Sequence, residues 1–413
     1  MESWKKSLYL IWIAETISLI GFSFCLTFLP YFVQEFGISD MREAALWTGI
    51  LQTAGPLMLV ISAPLWGILS DRIGRKIMVE RAMFSGFVVL VLMGIAKTLP
   101  QLFLLRLLQG IFTGTFTAAI VLVTTLIPRE KSAYALGLMQ TSIYVAATVG
   151  PFLGGIASDI WGYRNSFIFS GILVGAGGCL ISFFVNEPDK PQPLQAGNAS
   201  INPASFFREP RILFFLIVLF LFQAAASILA PAIPIFIQKL VASSRYLATT
   251  AGAIIAISGA ASVVPAILVG KTGNSSRQKD ILAGLIAAAG IFTILCAFAK
   301  NPAQLLVIRI AFGLAAGGVI PLINAGIHLA TKKSEIGKNF GVAGSISALG
   351  AGFGPAFGGA LISTFSLAFT FLTSGMLLLL TGALCLFIEK NGTLFTADED
   401  KFQVEAIGMR DEA

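Results

Sequence analysis

Long apolar segments dominate this chain of 413 residues and are separated by short polar loops. Hydrophobic residues make up 56% of the sequence and charged residues only 12%, about half the share expected of a soluble domain. A helix needs about 20 apolar residues to cross the hydrocarbon core of a bilayer, where each backbone polar group must be hydrogen-bonded internally. Because the alternation typical of β-strands is absent, the sequence predicts an all-α integral membrane protein.

Twelve segments meet this length requirement and predict twelve membrane-spanning helices. They cover residues 9–32, 46–69, 79–96, 101–126, 135–157, 165–185, 211–237, 247–269, 280–299, 302–329, 338–363 and 366–388. The first segment is too long and too polar for a removable signal peptide, so we expect it to remain in the membrane.

The distribution of Lys and Arg predicts the orientation of these helices. With a cytoplasmic N-terminus, twenty of the 28 Lys and Arg residues lie on the cytoplasmic side and six on the other. We therefore expect both termini in the cytoplasm and a multi-pass protein of the cell membrane, that is, the inner or plasma membrane. The net charge of +7 follows from this topology, and we predict no nucleic-acid partner.

The chain aligns with itself at an offset of 203 to 204 residues. The matching pairs are Pro30 with Pro234, Gly67 with Gly270, Arg106 with Arg309, Gly110 with Gly313, and Pro151 with Pro355. This repeat predicts two six-helix halves, residues 1–185 and 211–388. A flexible cytoplasmic linker with several prolines joins them over 186–210, and a polar cytoplasmic tail follows over 389–413.

The loop after the second predicted helix carries a compact set of glycine, acidic and basic residues. These are Gly67, Asp71, Arg72, Gly74, Arg75 and Lys76. The pattern resembles the loop between the second and third helices of the major facilitator superfamily. This resemblance implies a secondary transporter, not an enzyme, with two pseudo-symmetric six-helix halves and a small-molecule site between them.

We interpret this loop as a conformational latch that favours the outward-open state. Asp71 is suited to accept hydrogen bonds from the N-terminus of a neighbouring helix, and the basic residues to bridge other cytoplasmic helix ends. The alternative is that the charges only enforce topology. In the second copy, Asn274 stands where the first has Asp71, so such a latch would be asymmetric.

Arg106 lies in the fourth predicted helix, where a charged side chain is costly and usually faces a partner or a cavity. Its segment resembles the fourth-helix signature of proton-coupled members of the superfamily. The resemblance implies that Arg106 assists proton transfer by organising neighbouring groups, since arginine keeps its own proton. The alternative is a side chain that reaches the outer membrane surface.

Glu15 is an acidic residue inside the first predicted helix, six residues after Tyr9 and so about 9 Å from the predicted helix start. A carboxyl group at this depth loses part of its hydration and becomes a candidate for binding a proton or a cation. The segment ahead of Pro30 resembles the first-helix signature of drug–proton antiporters, some of which carry an acid at this position. The alternative is an interfacial glutamate paired with a lysine. A direct ion pair with Arg106 is not expected, because the two residues enter from opposite faces.

A glycine and proline pattern occurs in the fifth helix and again in the eleventh. Its residues are Gly150, Pro151, Gly154 and Gly155 in the first copy, and Gly350, Gly354, Pro355, Gly358 and Gly359 in the second. Small residues four positions apart let helices approach closely, and proline permits a bend. The pattern resembles the signature of antiporters within the superfamily, whereas the plainer interpretation is tight helix packing.

Four uncharged polar residues within the predicted helices are candidate substrate contacts. They are Gln52, Gln140, Gln223 and Asn324. Such groups face protein or water in a membrane, so each is equally suited to join two helices.

The whole chain resembles bacterial twelve-helix drug–proton antiporters, which implies proton-coupled export of small amphipathic compounds from the cytoplasm. One alternative is an exporter of a single metabolite, sugar or siderophore with the same fold, which a strict substrate requirement would favour. Another is a membrane sensor or assembly factor without transport. We expect a monomer without cofactor or metal, whose partners are its small-molecule substrate, protons and the lipid bilayer.

Overall fold

The computed structural model describes residues 3–128, 131–187, 209–241, 246–271, 278–331 and 336–387. Within these ranges the regular structure is helical, without a β-strand. The α-helices are α1 (Ser3–Leu26), α2 (Leu29–Gln34), α3 (Met41–Ile73), α4 (Arg75–Ile95), α5 (Leu99–Phe112), α6 (Thr115–Leu126), α7 (Ser132–Trp161), α8 (Tyr163–Phe184), α9 (Pro210–Val241), α10 (Leu247–Lys271), α11 (Gln278–Cys296), α12 (Pro302–Ala316), α13 (Val319–Ala330), α14 (Ile336–Thr364) and α15 (Leu367–Phe387).

The twelve predicted spans coincide with twelve helical segments that are long and apolar enough to cross a membrane. Three of the predicted helices are interrupted. A short break separates α1 from α2, a second lies between α5 and α6, and a third lies between α12 and α13. At the second break Gly114 has a φ of +108°, which glycine adopts without strain.

Each half of the chain has its own apolar core. Phe167 and Leu90 are buried in the core of the first half, and Phe215 and Leu322 in the core of the second. A third buried cluster joins residues of both halves, among them Tyr31 and Ile233. The halves are therefore separately packed bodies that share one apolar contact region.

The repeat is also visible in the way α5 and α12 begin. Thr98 caps α5 by accepting a hydrogen bond from the Gln101 backbone amide, and Asn301 caps α12 in the same way from Gln304. The side chains of Gln101 and Gln304 each accept a bond of 2.9 Å from the backbone amide that precedes the cap. Both helices thus start with the same reciprocal pair of side-chain caps, which differs from a capping box in that the second bond comes from the residue before the N-cap.

The helices alternate between two faces of the bundle. The face where α1 begins and α15 ends is called the terminal face, and the opposite one the far face.

The halves meet where α3 contacts α14 and where α7 contacts α10. Gly49 lies against the Pro355 carbonyl, Thr53 accepts a 3.0 Å hydrogen bond from the Ala356 amide, and Gly252 lies against the Pro151 carbonyl. These contacts lie toward the far face and near the middle of the bundle.

Near the terminal face, the same helices do not contact the opposite six-helix half at the positions that follow. A Cβ atom added to Gly67 in α3, Gly137 in α7 or Gly341 in α14 would meet no heavy atom within 4 Å. Leu65, on the terminal part of α3, is 67% exposed. The described conformation is therefore closed at the far face and open at the terminal face.

Close helix packing at the glycine pattern of α7 gives a stability prediction. A Cβ at Gly154 would collide with the Phe24 carbonyl in α1, whereas Gly137 of the same helix faces open space. We expect Gly154→Ala to lower the unfolding free energy by about 1–3 kcal/mol through overpacking. The matched variant Gly137→Ala should be neutral or slightly stabilising. Thermal unfolding of the purified protein in detergent compares the two, and equal Tm values would contradict the packing described here.

Candidate transport site

Glu15 is completely buried in the first half of the molecule. Its Oε1 atom accepts a 2.8 Å hydrogen bond from the Thr115 hydroxyl. Its Oε2 atom is buried without a hydrogen-bond partner among the described residues. Because α1 begins at Ser3 and not at Tyr9, Glu15 lies about 18 Å along the helix from its first residue. Its described partner is Thr115 and not a lysine, which differs from the interfacial alternative.

The carboxylate of Glu15 lies beside the start of a half-helix. Thr115 is the first residue of α6, directly after the break at Gly114. The first amide groups of a helix lack intrahelical acceptors and carry a partial positive charge. Discontinuous helices with such ends near the middle of the membrane are a recurrent way of building ion sites in transporters.

The second half has a weaker interruption and no acid at the place equivalent to Glu15. The interruption between α12 and α13 falls at Gly317 and Gly318, one repeat length after Gly114, and both glycines keep right-handed helical backbone angles. The residue one repeat length after Glu15 is Leu219, which is buried in an apolar core. A buried acid beside the broken helix thus occurs in the first half and not at the equivalent place in the second.

Arg106 is 4% exposed and does not reach the surface. Its Nε atom donates a 2.9 Å hydrogen bond to the Leu51 carbonyl of α3, and its guanidinium also binds the Gln109 side chain. Its repeat copy, Arg309, is also buried and lies over the Phe312 ring at 4.3 Å. Arg106 therefore fastens α5 to α3 a few residues before the helix break.

Glu15 and Arg106 are not paired in the described residues. Arg106 precedes Thr115 by nine residues, which corresponds to about 13 Å along a helix. Glu15 binds the hydroxyl of Thr115, and Arg106 binds a carbonyl and an amide side chain. This arrangement agrees with the expected separation of the two residues.

The glycine and basic residues of the predicted latch surround the turn between α3 and α4. Gly74 ends α3 with a φ of +115°. The backbone amides of Arg75 and Lys76, the first two residues of α4, donate hydrogen bonds of 3.1 and 2.8 Å to the Glu187 carboxylate. The N-terminus of α4 is therefore capped by an acid at the start of the linker, directly after α8.

The Lys76 side chain also contacts its own half. The Lys76 ammonium donates to the Ser182 carbonyl at 2.9 Å and lies 3.6 Å from Glu80. Arg72 is exposed, and Arg75 is buried. The side chain of Asp71, and the greater part of the repeated loop over 270–274, lie outside the described residues.

The glycines of the antiporter pattern contact two neighbours at once. In α7, Gly150 and Gly154 pack on Ser23 and Phe24 of α1, whereas Gly155 packs on Ala248 of α10. The second copy has the same arrangement: Gly350, Gly354 and Gly358 face α9, whereas Gly359 faces α3. In each copy, the last glycine contacts the opposite half and the others contact their own half.

The four candidate cavity residues are not brought together by a described contact. Gln223 donates a 2.9 Å hydrogen bond to Ser347, which joins α9 to α14 and matches the helix-joining alternative. Gln52 and Asn324 are half-buried, and Gln140 is exposed. An apolar groove of about 470 Å³, lined in part by Leu295, contains none of these four residues.

Several polar residues at helix ends were not identified from the sequence. They are Thr115 beside Glu15, Glu187 beside α4, and Asp159 of α7, which contacts α10. Their partners are 89 to 112 residues away in the chain. Thr113 and Gly114 in the middle of the fourth apolar segment were the available signal for the break, because a glycine there disfavours a continuous helix.

The comparisons with known proteins agree on a transporter. The chain matches the family model of the Major Facilitator Superfamily over residues 11–279 and 248–403. It is 29% identical over 381 residues to the multidrug resistance protein MdtG of Yersinia enterocolitica, covering 91% of both chains. It is 30% identical over 360 residues to MdtG of Proteus mirabilis, covering 86% of this chain and 89% of the relative.

Solved transporter structures share the fold. A bacterial homologue of the human lysosomal transporter Spinster, in an inward-facing and unoccupied conformation, superimposes with a TM-score of 0.73 at 15% identity and covers 96% of this chain and 98% of that one. The nucleoside transporter NupG superimposes with a TM-score of 0.76 at 13% identity and covers 92% of this chain and 100% of that one. With twelve apolar helices in two related halves and a family model that matches most of its length, the chain belongs to the major facilitator superfamily of multi-pass membrane transporters.

Proposed function

We propose that this protein is a proton-coupled antiporter that exports small amphipathic compounds from the cytoplasm by alternating access. The observation that carries the proposal is Glu15, a fully buried acid with one unpartnered oxygen beside a broken transmembrane helix. An intramembrane ionisable group of this kind usually marks an ion or proton pathway. The name of the MdtG relatives, multidrug resistance protein, supports the class of substrate.

In this proposal Glu15 holds the transported proton. The carboxylate is sealed from the surface in the described conformation, which favours proton binding over direct contact with a substrate. When ionised, Glu15 attracts the N-terminus of α6 and accepts the Thr115 hydroxyl. When protonated, it loses most of that attraction. Proton binding would thus change the position of α6, the part of the fourth helix that runs to the terminal face.

The terminal face is the cytoplasmic face in this proposal, as the distribution of Lys and Arg predicts. A substrate then enters the open side of the described conformation from the cytoplasm. Exchange follows if substrate binding favours the ionised form of Glu15 and proton binding favours the empty transporter. Arg106 would assist by fixing α5 to α3, so that movement is confined to α6.

The predicted latch belongs to the closed form of the terminal face. Gly67 faces open space and the Lys76 ammonium binds within its own half, as expected when this face is open. We propose that Asp71 engages the other half when the face closes. The glycine patterns of α7 and α14 would then provide the closely packed surfaces at which the halves move against each other.

Transport by a Glu15 variant tests this proposal. Purified protein in liposomes should drive efflux of a lipophilic cationic dye under an imposed pH gradient, and a protonophore should stop it. Glu15→Gln removes the ionisable group, so gradient-driven flux should fall to the level of protein-free liposomes. Glu43→Gln, a matched change at an exposed position on α3, should retain the flux. Gradient-driven flux through Glu15→Gln would place the proton site elsewhere.

The hydrogen bond between Thr115 and Glu15 gives a second prediction, on stability. A bond to a charged acceptor contributes about 1.5–3 kcal/mol, and the bond weakens when the acceptor is neutralised. Thr115→Val should therefore lower the Tm more at high pH, where Glu15 is ionised, than at low pH. Thr115→Ser keeps the hydroxyl and should follow the parent protein. A Tm difference for Thr115→Val that does not vary with pH would show that Glu15 does not titrate beside Thr115.

A further inference from the structure

Asp159 joins the two halves of the molecule at the far face. It lies in the last turn of α7, and its Oδ1 atom accepts a 3.1 Å hydrogen bond from the Ala248 backbone amide. Its Oδ2 atom accepts a 2.7 Å bond from the Thr249 amide. Both amides belong to the first turn of α10, in the other half. One carboxylate thus caps a helix of the opposite half with both of its oxygens.

Helix electrostatics favour this contact. The first amides of a helix have no intrahelical acceptor, and a negative charge near them is stabilised by the helix dipole. Gly155, one turn earlier in α7, lies against the Ala248 carbonyl, and the missing side chain lets the two helices approach. Asp159 is half-buried, so water screens this interaction less than it screens a fully exposed ion pair.

Among the residues that the structure describes, the equivalent corner between α14 and α3 lacks such a contact. Ser363 stands one repeat length after Asp159, and its hydroxyl donates to the Ala360 carbonyl in its own helix. The N-terminus of α3 is capped by its own Asp40, which accepts from the Arg42 amide. Among the described residues, an acid therefore caps a helix across the halves at one of these two corners only.

We propose that Asp159 is the electrostatic latch of the far face and positions the halves for transport. The inference rests on the alternating access of the proposed function, because the far face must open once in each cycle. Since α7 and α10 belong to different halves, opening separates Asp159 from Ala248 and Thr249. The carboxylate then loses its donors, which stabilises the closed far face relative to the open one. Asp159 would do at this face what Asp71 is expected to do at the terminal face.

Distance measurements between the halves test this latch without substrate or proton gradient. Lys97 and Lys300 are exposed, equivalent positions at the far face of the two halves, and their side chains make none of the described contacts between halves. Spin labels at Lys97→Cys and Lys300→Cys, in a Cys179→Ser background, report the opening of this face by pulsed electron paramagnetic resonance. Cys179 is replaced because it is exposed, whereas the other three cysteines are buried.

We expect Asp159→Asn to raise the population of the longer, far-open distance. Asparagine keeps one acceptor oxygen but loses the charge and the second acceptor. Loss of a charge at a helix N-terminus corresponds to a change of about twofold to fivefold in the open-to-closed ratio. Asp159→Glu keeps the charge and should remain closer to the parent. Ser363→Ala, the matched change at the equivalent corner, should leave the distribution unchanged.

Two results would overturn the latch. One is a distance distribution of Asp159→Asn that superimposes on the parent, and the other is an equal shift in Ser363→Ala. If Asp159→Asn does not purify as a monodisperse protein, Asp159→Ser provides a second uncharged variant with the same expected result. Failure of the antiport proposal is seen separately, as absence of gradient-driven flux in the parent protein.

Discussion

The hydrocarbon core of a membrane offers no hydrogen-bond partner to a polypeptide backbone, and this constraint decides where the chain can depart from a helix. The described spans are helical almost throughout, and the fourth and tenth are interrupted at equivalent places. At the break in the fourth span the Thr113 amide and hydroxyl both bind the Gln109 carbonyl, and Gly114 turns the chain without strain. The break creates a buried helix N-terminus at the start of α6, and Glu15 lies beside it. The proposed proton site thus follows from the way in which this helix break is stabilised within the membrane.

Carboxylates at helix N-termini recur across the molecule. Glu15 lies beside α6, Glu187 binds the first amides of α4, and Asp159 binds those of α10. In each case the acid comes from a different element than the helix end that it meets. The interaction is directional enough to fix an element and weak enough to break during a cycle, since a cap contributes about 0.5–2 kcal/mol. Glu187 joins the start of the linker to α4, whereas Asp159 joins the two halves and would have to separate from α10 in the proposed cycle.

The fold could be predicted from the sequence because its determinants are local or periodic. Apolar length defined the twelve spans, and the offset between Arg106 and Arg309 defined the repeat. The spacing of Gly350, Gly354 and Gly358 predicted close packing, and the structure adds which helix each of them meets. Glu15 could be identified because a charge in a span is conspicuous. Asp159 could not, because an acid near a helix end is ordinary until its distant partner is known.

The two halves share their scaffold but not their acids. The reciprocal side-chain caps, the interruption of a helix, a buried arginine and the glycine pattern all occur twice. One repeat length after Glu15, Asp71 and Asp159 stand Leu219, Asn274 and Ser363, which are all uncharged. A scaffold that moves as two equivalent bodies needs its packing in both halves. The proposed latch at Asp159 needs a charge on one side only, because the other half supplies the backbone amides at the start of α10. The two copies of the repeat therefore share the residues that pack the helices, whereas these three acids stand in the first half.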